Sequence, residues 1–362
     1  LMGVSLMDDL TDGPRRRPDC QRGAFYFGLM TGVTARPQGT FDEDCPITTG
    51  YCLVMISIQL PYNAPWSWSQ FHRHFALRLL PGIEALEPER YSRTVQVGED
   101  VGWFSVRPLL PQSALELVIS DSLEGHASTL AMRVRKMFDL DADPVAITRH
   151  FASDPQLGPL VAANPGLRLP SAFDPFEQAV RAIVGQQVTV KAAVTITRRL
   201  VERSGENRLS QSAVGTNGLT MLFPGPQTLA TAALENIGMP GKRVAALQHL
   251  SAAVAGGALE LHVENGADAL VSHLCQLPGI GPWTAEYIAL RGFGEADAFP
   301  AADLGLLKSP LWGSDGISAK ELLARSQAWR PWRAYAAVHI WESYAAAPIK
   351  AERAWPELEA GR

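Results

Sequence analysis

The stretch LCQLPGIGPWTAEYIALRGFGEADAFPAADLGLLK, residues 274–308, carries three local signals in close order. Pro278, Gly279 and Gly281 punctuate the end of one helix and the start of the next. Glycine reaches positive φ and, having no Cβ, lets another backbone approach. Pro282 suits the first position of the following helix, where its missing N–H leaves nothing unsatisfied. The free N–H groups at that start carry the positive end of the helix dipole and suit an anion such as a phosphate. Taken alone, such a turn is equally compatible with a plain helix–helix connection. In the next helix Trp283 and Tyr287 are spaced i, i+4 and share a face, and Gly292 is the expected C-terminal cap. Aromatics at this spacing are more often core than binding surface, but these begin at the anion-binding turn, where a cleft would open. After a loop, Asp303 precedes the apolar run Leu304, Leu306, Leu307 and reads as a helix N-cap. Capping does not exclude a carboxylate aimed at a substrate.

The remainder of the chain frames this segment. Its 362 residues suffice for two or three domains, and 46% hydrophobic content is that of a globular protein. No apolar run is long enough to span a membrane, and the start lacks an apolar stretch followed by a cleavage site, so a cytoplasmic protein is expected. Cys20, Cys45, Cys52 and Cys275 form no CxxC pair and read as reduced thiols. Residues 51–120 read as strands around one helix: YCLVMISIQL, SRTVQVG, WFSVRPL and ALELVIS favour branched and aromatic residues, with the turn GEDVG between the second and third. Trp66 to Leu80 is the helix, giving an antiparallel sheet with a helix on one face. From about Leu130 helices dominate. Asp174 as N-cap, Pro175 at the first position and Glu177 closing a capping box start one whose apolar face is Phe176, Val180, Ile183 and Val184. Residues 207–228 read as a polar, Gly-rich loop, and there is no internal repeat.

The pattern LPGIGPWTAEYIALRG, a loop and then Asp303 resembles the helix-hairpin-helix DNA glycosylases, specifically the bacterial AlkA-type 3-methyladenine glycosylase II group. PGLRLPSAFDPFEQAVRAIVGQQVTV (165–190), NIGMPGKRVAAL (236–247) and WRPWRAYAAVHIW (329–341) extend the match. PWSWSQFHRHFALRLLPGIE (65–84) and YSRTVQVGEDVGWFSVRP (91–108) resemble the family's N-terminal domain, so the resemblance covers roughly residues 55–350. It implies an α+β fold: an N-terminal antiparallel sheet and helix domain at 51–137, then two all-α domains over 138–350. The six-helix lobe would span about 174–296 with the hairpin at 274–292, and the second lobe would combine 138–173 with 297–350. Residues 1–50 would be an extension of unknown role and 351–362 a tail. Phe25 to Pro37 faintly resembles part of a zinc-binding methyl-phosphotriester domain, but the cysteine ligands are missing, so zinc is not expected.

The resemblance implies a monomeric DNA repair glycosylase that flips alkylated purines out of double-stranded DNA and hydrolyses their N-glycosidic bond. Asp303 matches the catalytic aspartate, and Trp283, Tyr287 and Trp341 match aromatic pocket positions suited to electron-poor alkylated bases. Gly279, Gly281, Lys242 and Arg243 would hold DNA, with Arg291 a further candidate. Gln187 would wedge into the gap left by the flipped base. The main-chain carbonyls of Cys275, Leu277 and Ile280 match those that hold a structural monovalent cation. Tryptophan at 283 stands where strand-cutting relatives carry a Schiff-base lysine, so a monofunctional enzyme is expected. No cysteine follows Cys275, which excludes the family's iron–sulfur cluster. His74 falls near a position that is often aromatic in the pocket and is not assigned to the site. The formal net charge of −5 runs against strong non-specific DNA binding and implies a small footprint. Two other readings stay open: a non-catalytic helix-hairpin-helix damage-binding protein, and a glycosylase for oxidised or mismatched bases.

Overall fold

The computed structural model describes residues 33–35, 55–207, 218–263 and 266–346. β-branched and aromatic side chains build its N-terminal layer, two of whose central strands are each buried over five consecutive residues. The strands are β1 (Val33–Ala35), β2 (Ile56–Pro61), β3 (Glu84–Glu87), β4 (Arg90–Val97), β5 (Asp100–Leu109) and β6 (Ala114–Ile119). They form one antiparallel sheet in the order β1-β2-β6-β5-β4-β3. The β4–β5 hairpin turns on two residues: Val97 pairs with Asp100 and Gly98 has φ 62°, the left-handed backbone such tight turns require. Helix α1 (Trp68–Ala76) lies between β2 and β3, and α2 (Ala127–Met137) follows β6. Phe71 and Phe75 of α1, Leu130 and Val134 of α2, and Tyr91, Phe104, Leu115 and Leu117 of the sheet share one buried cluster. Aromatic rings of this size bury about 150–250 Å² each, which holds both helices to the sheet.

Two features of this layer go beyond the sequence signals. β3, with the sequence EALE, carries no strand-favouring residues. It joins as an edge through backbone pairing, from Glu84↔Arg93 to Glu87↔Arg90. β1 falls inside the segment 1–50, read as an extension of unknown role, and its backbone pairs with β2, Val33 opposite Ile58. The rest of that segment, with Cys20 and Cys45, lies outside the described residues, as do Cys52 and the tail 351–362.

The helical part comprises α3 (Pro144–Phe151), α4 (Leu157–Ala163), α5 (Pro175–Val184), α6 (Val190–Ser204), α7 (Pro226–Thr231), α8 (Gly241–Ala255), α9 (Ala267–Leu274), α10 (Pro282–Phe293), α11 (Leu304–Leu307), α12 (Ala319–Ser326) and α13 (Arg333–Ala346). It is not wholly α: β7 (Glu206–Asn207), at the start of the loop read at 207–228, pairs with β8 (Met221–Leu222) inside it as a two-residue ribbon. The Met221 carbonyl accepts from Thr94 Oγ1 of the sheet at 2.7 Å. α5 is the central element, its Val180, Ile183 and Val184 fully buried in the helical core. Asp174 caps it, accepting from Glu177 N at 2.9 Å. The capping box does not close, because the Glu177 carboxylate is drawn to Arg93 (2.7 Å) and Arg181 (2.6 Å). Burial alone would raise that carboxyl, but the two guanidiniums hold it down at about 2. Arg181 also pairs with Glu84 at 3.0 Å, so a buried ion network ties the sheet to α5. Residues 138–173 meet the C-terminal helices through Trp329 Nε1 to Asp154 (2.8 Å) and the Tyr335 hydroxyl to Asp139 (2.8 Å). Among the described residues no helix is long and apolar enough to cross a membrane.

Candidate active site

The α9–α10 turn is built on one glycine more than the other. Gly279 has φ 84°, and a Cβ there would stand 2.4 Å from the Ala246 Cβ of α8. Both the backbone angle and the close approach therefore exclude a side chain. Gln186, just past α5, donates to the Gly279 carbonyl and to Thr284 Oγ1, each at 3.0 Å, and clamps the turn onto α5. Neither α8 nor α10 has a side-chain cap, their N-cap residues being Pro240 and Gly281. Their first amides are therefore left for an anion. Lys242 is exposed and Arg243 half-buried in the first turn of α8. Gln187 sits exposed at the α5–α6 tip with φ 55°, a conformation uncommon for a residue with a side chain. Val188 beside it is 36% exposed.

The carbonyls of Cys275, Leu277 and Ile280 all belong to this turn. That of Leu277 accepts the Ile280 N–H at 3.1 Å, which leaves its second lone pair for an ion. A set of neutral backbone oxygens suits a weakly held monovalent cation. Among the described residues no group of three or more His, Cys, Asp or Glu side chains could hold a metal.

α10 runs on to Phe293 and is capped by Gly294 at φ 61°; Gly292, the expected cap, lies inside the helix. The loop after it is pinned at its centre, where Glu286 of α10 accepts the Phe299 N–H at 2.8 Å. Asp297 is held by Arg333 at 2.8 Å and by Arg330. This delivers Asp303 to the N-terminus of α11, where its Oδ1 accepts from Gly305 N (2.9 Å) and Leu306 N (3.3 Å). Two indoles complete its surroundings: Trp341 Nε1 donates to Oδ1 at 2.9 Å and Trp283 Nε1 to Oδ2 at 3.1 Å. Both oxygens are thus held by N–H donors, and the carboxylate has one orientation. Gly305 makes room, since a Cβ there would lie 3.1 Å from the Trp341 ring.

The two indoles are also walls. Trp283 stacks on Tyr287 with ring centres 5.4 Å apart and an angle of 19°, and Trp341 meets Tyr287 edge-on at 6.3 Å. All three are only half-buried. The structure therefore brings Asp303, Trp283, Tyr287 and Trp341 into one half-buried cluster. Gln187, Lys242 and Arg243 lie on helix starts and a loop tip rather than against Asp303. Arg291 is not a surface cation for DNA: it is 7% exposed, with its guanidinium carbon 4.8 Å from the Trp341 ring centre. Sequence reasoning also missed Gln186, whose partners lie 93 and 98 positions away.

Residues 57–174 match the AlkA N-terminal domain family, and residues 180–331 match the HhH-GPD superfamily of base excision DNA repair proteins. The chain is 36% identical over 285 residues to DNA-3-methyladenine glycosylase 2 of Escherichia coli, covering 78% of this chain and 95% of that protein. It is 35% identical over 314 residues to a probable bifunctional transcriptional activator/DNA repair enzyme AlkA of Mycobacterium tuberculosis. That match takes in 87% of this chain but spans only 61% of the Mycobacterium protein's length. Among solved structures, a 3-methyladenine DNA-glycosylase from Archaeoglobus fulgidus superposes with a TM-score of 0.68 at 19% identity, over 81% of this chain and 99% of that one. This last likeness is one of fold.

Proposed function

The chain belongs to the AlkA-type glycosylase family within the HhH-GPD superfamily of base excision DNA repair proteins, and on that premise we propose that it excises alkylated purines from double-stranded DNA. The observation that carries the reading is the carboxylate of Asp303, fixed by four N–H donors, two of which come from the aromatic walls of the cleft.

The uncapped starts of α8 and α10, with Lys242, Arg243, Gly279 and Gly281, receive the DNA backbone. The target nucleotide rotates out of the duplex, and Gln187 fills the gap it leaves. The base stacks among Trp283, Tyr287 and Trp341, which present faces of negative quadrupole to an electron-poor ring. Its C1′ comes to lie by Asp303. As the glycosidic bond breaks, positive charge grows on the sugar, and the carboxylate stabilises it and orients the attacking water. Asp303 cannot swing away, because its donors come from backbone and packed rings. Position 283 carries an indole in place of an amine, so no Schiff base forms there and the strand is left intact at an abasic site. The Cys275, Leu277 and Ile280 carbonyls fit a monovalent cation that would brace the turn against a phosphate and take no part in bond breaking. The protein acts as a cytoplasmic monomer in this reading.

The test is chromatography of bases released from methylated duplex DNA. Free 3-methyladenine and 7-methylguanine are expected, with nicks appearing only after alkali. Asp303→Asn separates this reading from a non-catalytic damage binder: base release is lost and DNA binding kept. Absence of both methylated purines from the supernatant would refute the substrate assignment.

A further inference from the structure

Arg291 takes no part in the mechanism above, although it continues the stripe of Trp283 and Tyr287 along α10 at the next i+4 position. It is 7% exposed, its Nη1 donates to the Pro170 carbonyl at 3.0 Å, and its Nε has no hydrogen-bond partner. Its guanidinium lies over the Trp341 ring, 4.8 Å from the centre. The Tyr287 hydroxyl and the charge of the Asp303 carboxylate act on it as well, both favouring its charged form. Burial, helped by the charge of Arg78, lowers its pKa to about 10, which leaves it charged at neutral pH. The nearby Arg78 donates from Nη1 to the His74 carbonyl at 3.2 Å. Burial and the charges of Arg78, Arg291 and Arg181 push the His74 imidazole well below its ordinary range. Arg78 and Arg291 thus both bring positive charge to this corner, opposed by the Asp303 carboxylate, and a buried cation is costly to keep.

We propose that Arg291 is a specificity-determining residue whose charge, set against the aromatic wall, favours purines that are uncharged before cleavage over those that carry a fixed positive charge. The proposal rests on the glycosylase reading and deepens it. In hydrolysis the C1′–N bond breaks and its electron pair goes to the base nitrogen. Water supplies hydroxide to C1′ and gives up a proton. A cationic N-methylpurine departs neutral, and the proton passes to solvent. An uncharged purine departs as an anion and takes up a proton in its place. In both cases the base loses one unit of positive charge beside Arg291, so bond breaking is assisted equally. The two substrates differ on entry: the guanidinium repels a cationic base and leaves an uncharged one unaffected. Because kcat/KM compares the transition state with the free species, only the uncharged base gains there, through attraction of the forming anion.

The test uses the full chain and duplexes carrying a single hypoxanthine, as the uncharged probe, or a single 7-methylguanine. Arg291→Gln keeps an amide to donate to the Pro170 carbonyl and removes the charge. The ratio of kcat/KM for hypoxanthine to that for 7-methylguanine is expected to fall on the order of tenfold. For 7-methylguanine KM and kcat should decrease together, as repulsion is relieved in the bound state. Arg291→Lys, which keeps the charge, should restore the wild-type ratio. Arg78→Gln should shift the ratio in the same direction more weakly, and it stands in if Arg291→Gln does not fold. Equal losses on both substrates, an unchanged ratio, or release of 7-methylguanine without any hypoxanthine by the wild-type protein would overturn the inference alone. Release of neither base by the wild-type protein would overturn the glycosylase reading with it.

Discussion

Replacing Trp341 by phenylalanine keeps a ring against Tyr287 and Arg291 but deletes the 2.9 Å donor to Asp303 Oδ1. A hydrogen bond to a charged group contributes about 1.5–3 kcal/mol. If that bond holds the carboxylate under C1′, Trp341→Phe should slow single-turnover release of 7-methylguanine roughly tenfold and leave DNA affinity nearly unaltered. Equal loss in Kd would mean that the indole serves only to stack. Asp303→Asn is more severe, because its amide nitrogen would face an indole N–H or a backbone N–H, donor against donor. Base release should fall by at least about a hundredfold, measured alongside an unchanged anisotropy titration with abasic DNA. The acid itself is legible in the sequence as a cap after an aromatic helix. Its bonds to Trp283 and Trp341, 20 and 38 positions away, are not, since they exist only once α10, α11 and α13 have packed. Arg291 reads as a DNA contact for the same reason, since the burial that overturns this comes with a carbonyl partner, Pro170, 121 positions away.

Helices were readable wherever a local signal coincides with the element's own chemistry. Asp174 and Pro175 start α5, and the spacing of Trp283 and Tyr287 announces a common face on α10. β3 was not readable, because EALE enters the sheet through backbone pairing with β4 and not through any preference of its residues. The Glu177 capping box failed for a related reason: the local partner lost to two guanidiniums that the fold brings in. The hairpin turn allows a direct check at this scale. Gly279→Ala puts a methyl 2.4 Å from Ala246 Cβ at a φ of 84°, so α8 and the turn must separate. Overpacking with a forced positive φ should cost about 1–3 kcal/mol. The separation should weaken DNA binding at least severalfold, while Gly281→Ala, with nothing within 4 Å of the added Cβ, should leave the melting temperature within a degree or two.

At the scale of the whole molecule, charge limits how the chain can hold DNA. With a net charge of −5, the proposed contacts are Lys242, Arg243 and the two uncapped helix starts, which are dipoles rather than ions. Each neutralised phosphate adds about −0.9 to the slope of log K against log salt, so a slope near −2 to −4 is expected. A slope near −8 would require about nine neutralised phosphates, more than these groups supply. A second whole-molecule property follows from Asp139, where α2, the segment before α5 and α13 meet. Its Oδ2 accepts from Leu169 N at 2.9 Å and from the Tyr335 hydroxyl at 2.8 Å. Burial nevertheless lifts its carboxyl from 3.8 to about 6, against those bonds and the charge of Arg168. The folded protein therefore binds this proton more tightly than the unfolded chain. The cost of ionising Asp139 is absent below 3.8 and fully present above about 6, where it amounts to roughly 3 kcal/mol. Asp139→Asn removes that cost, retains an oxygen acceptor and tolerates the φ of 51° found there. In urea titrations the variant should be more stable than wild type by about 1–3 kcal/mol at pH 8. The advantage should shrink as pH falls through 6 and vanish below about 4, because wild-type Asp139 is then protonated and pays no penalty. A difference that stays constant between pH 8 and 4 would show that the carboxyl titrates normally and that the junction does not strain it.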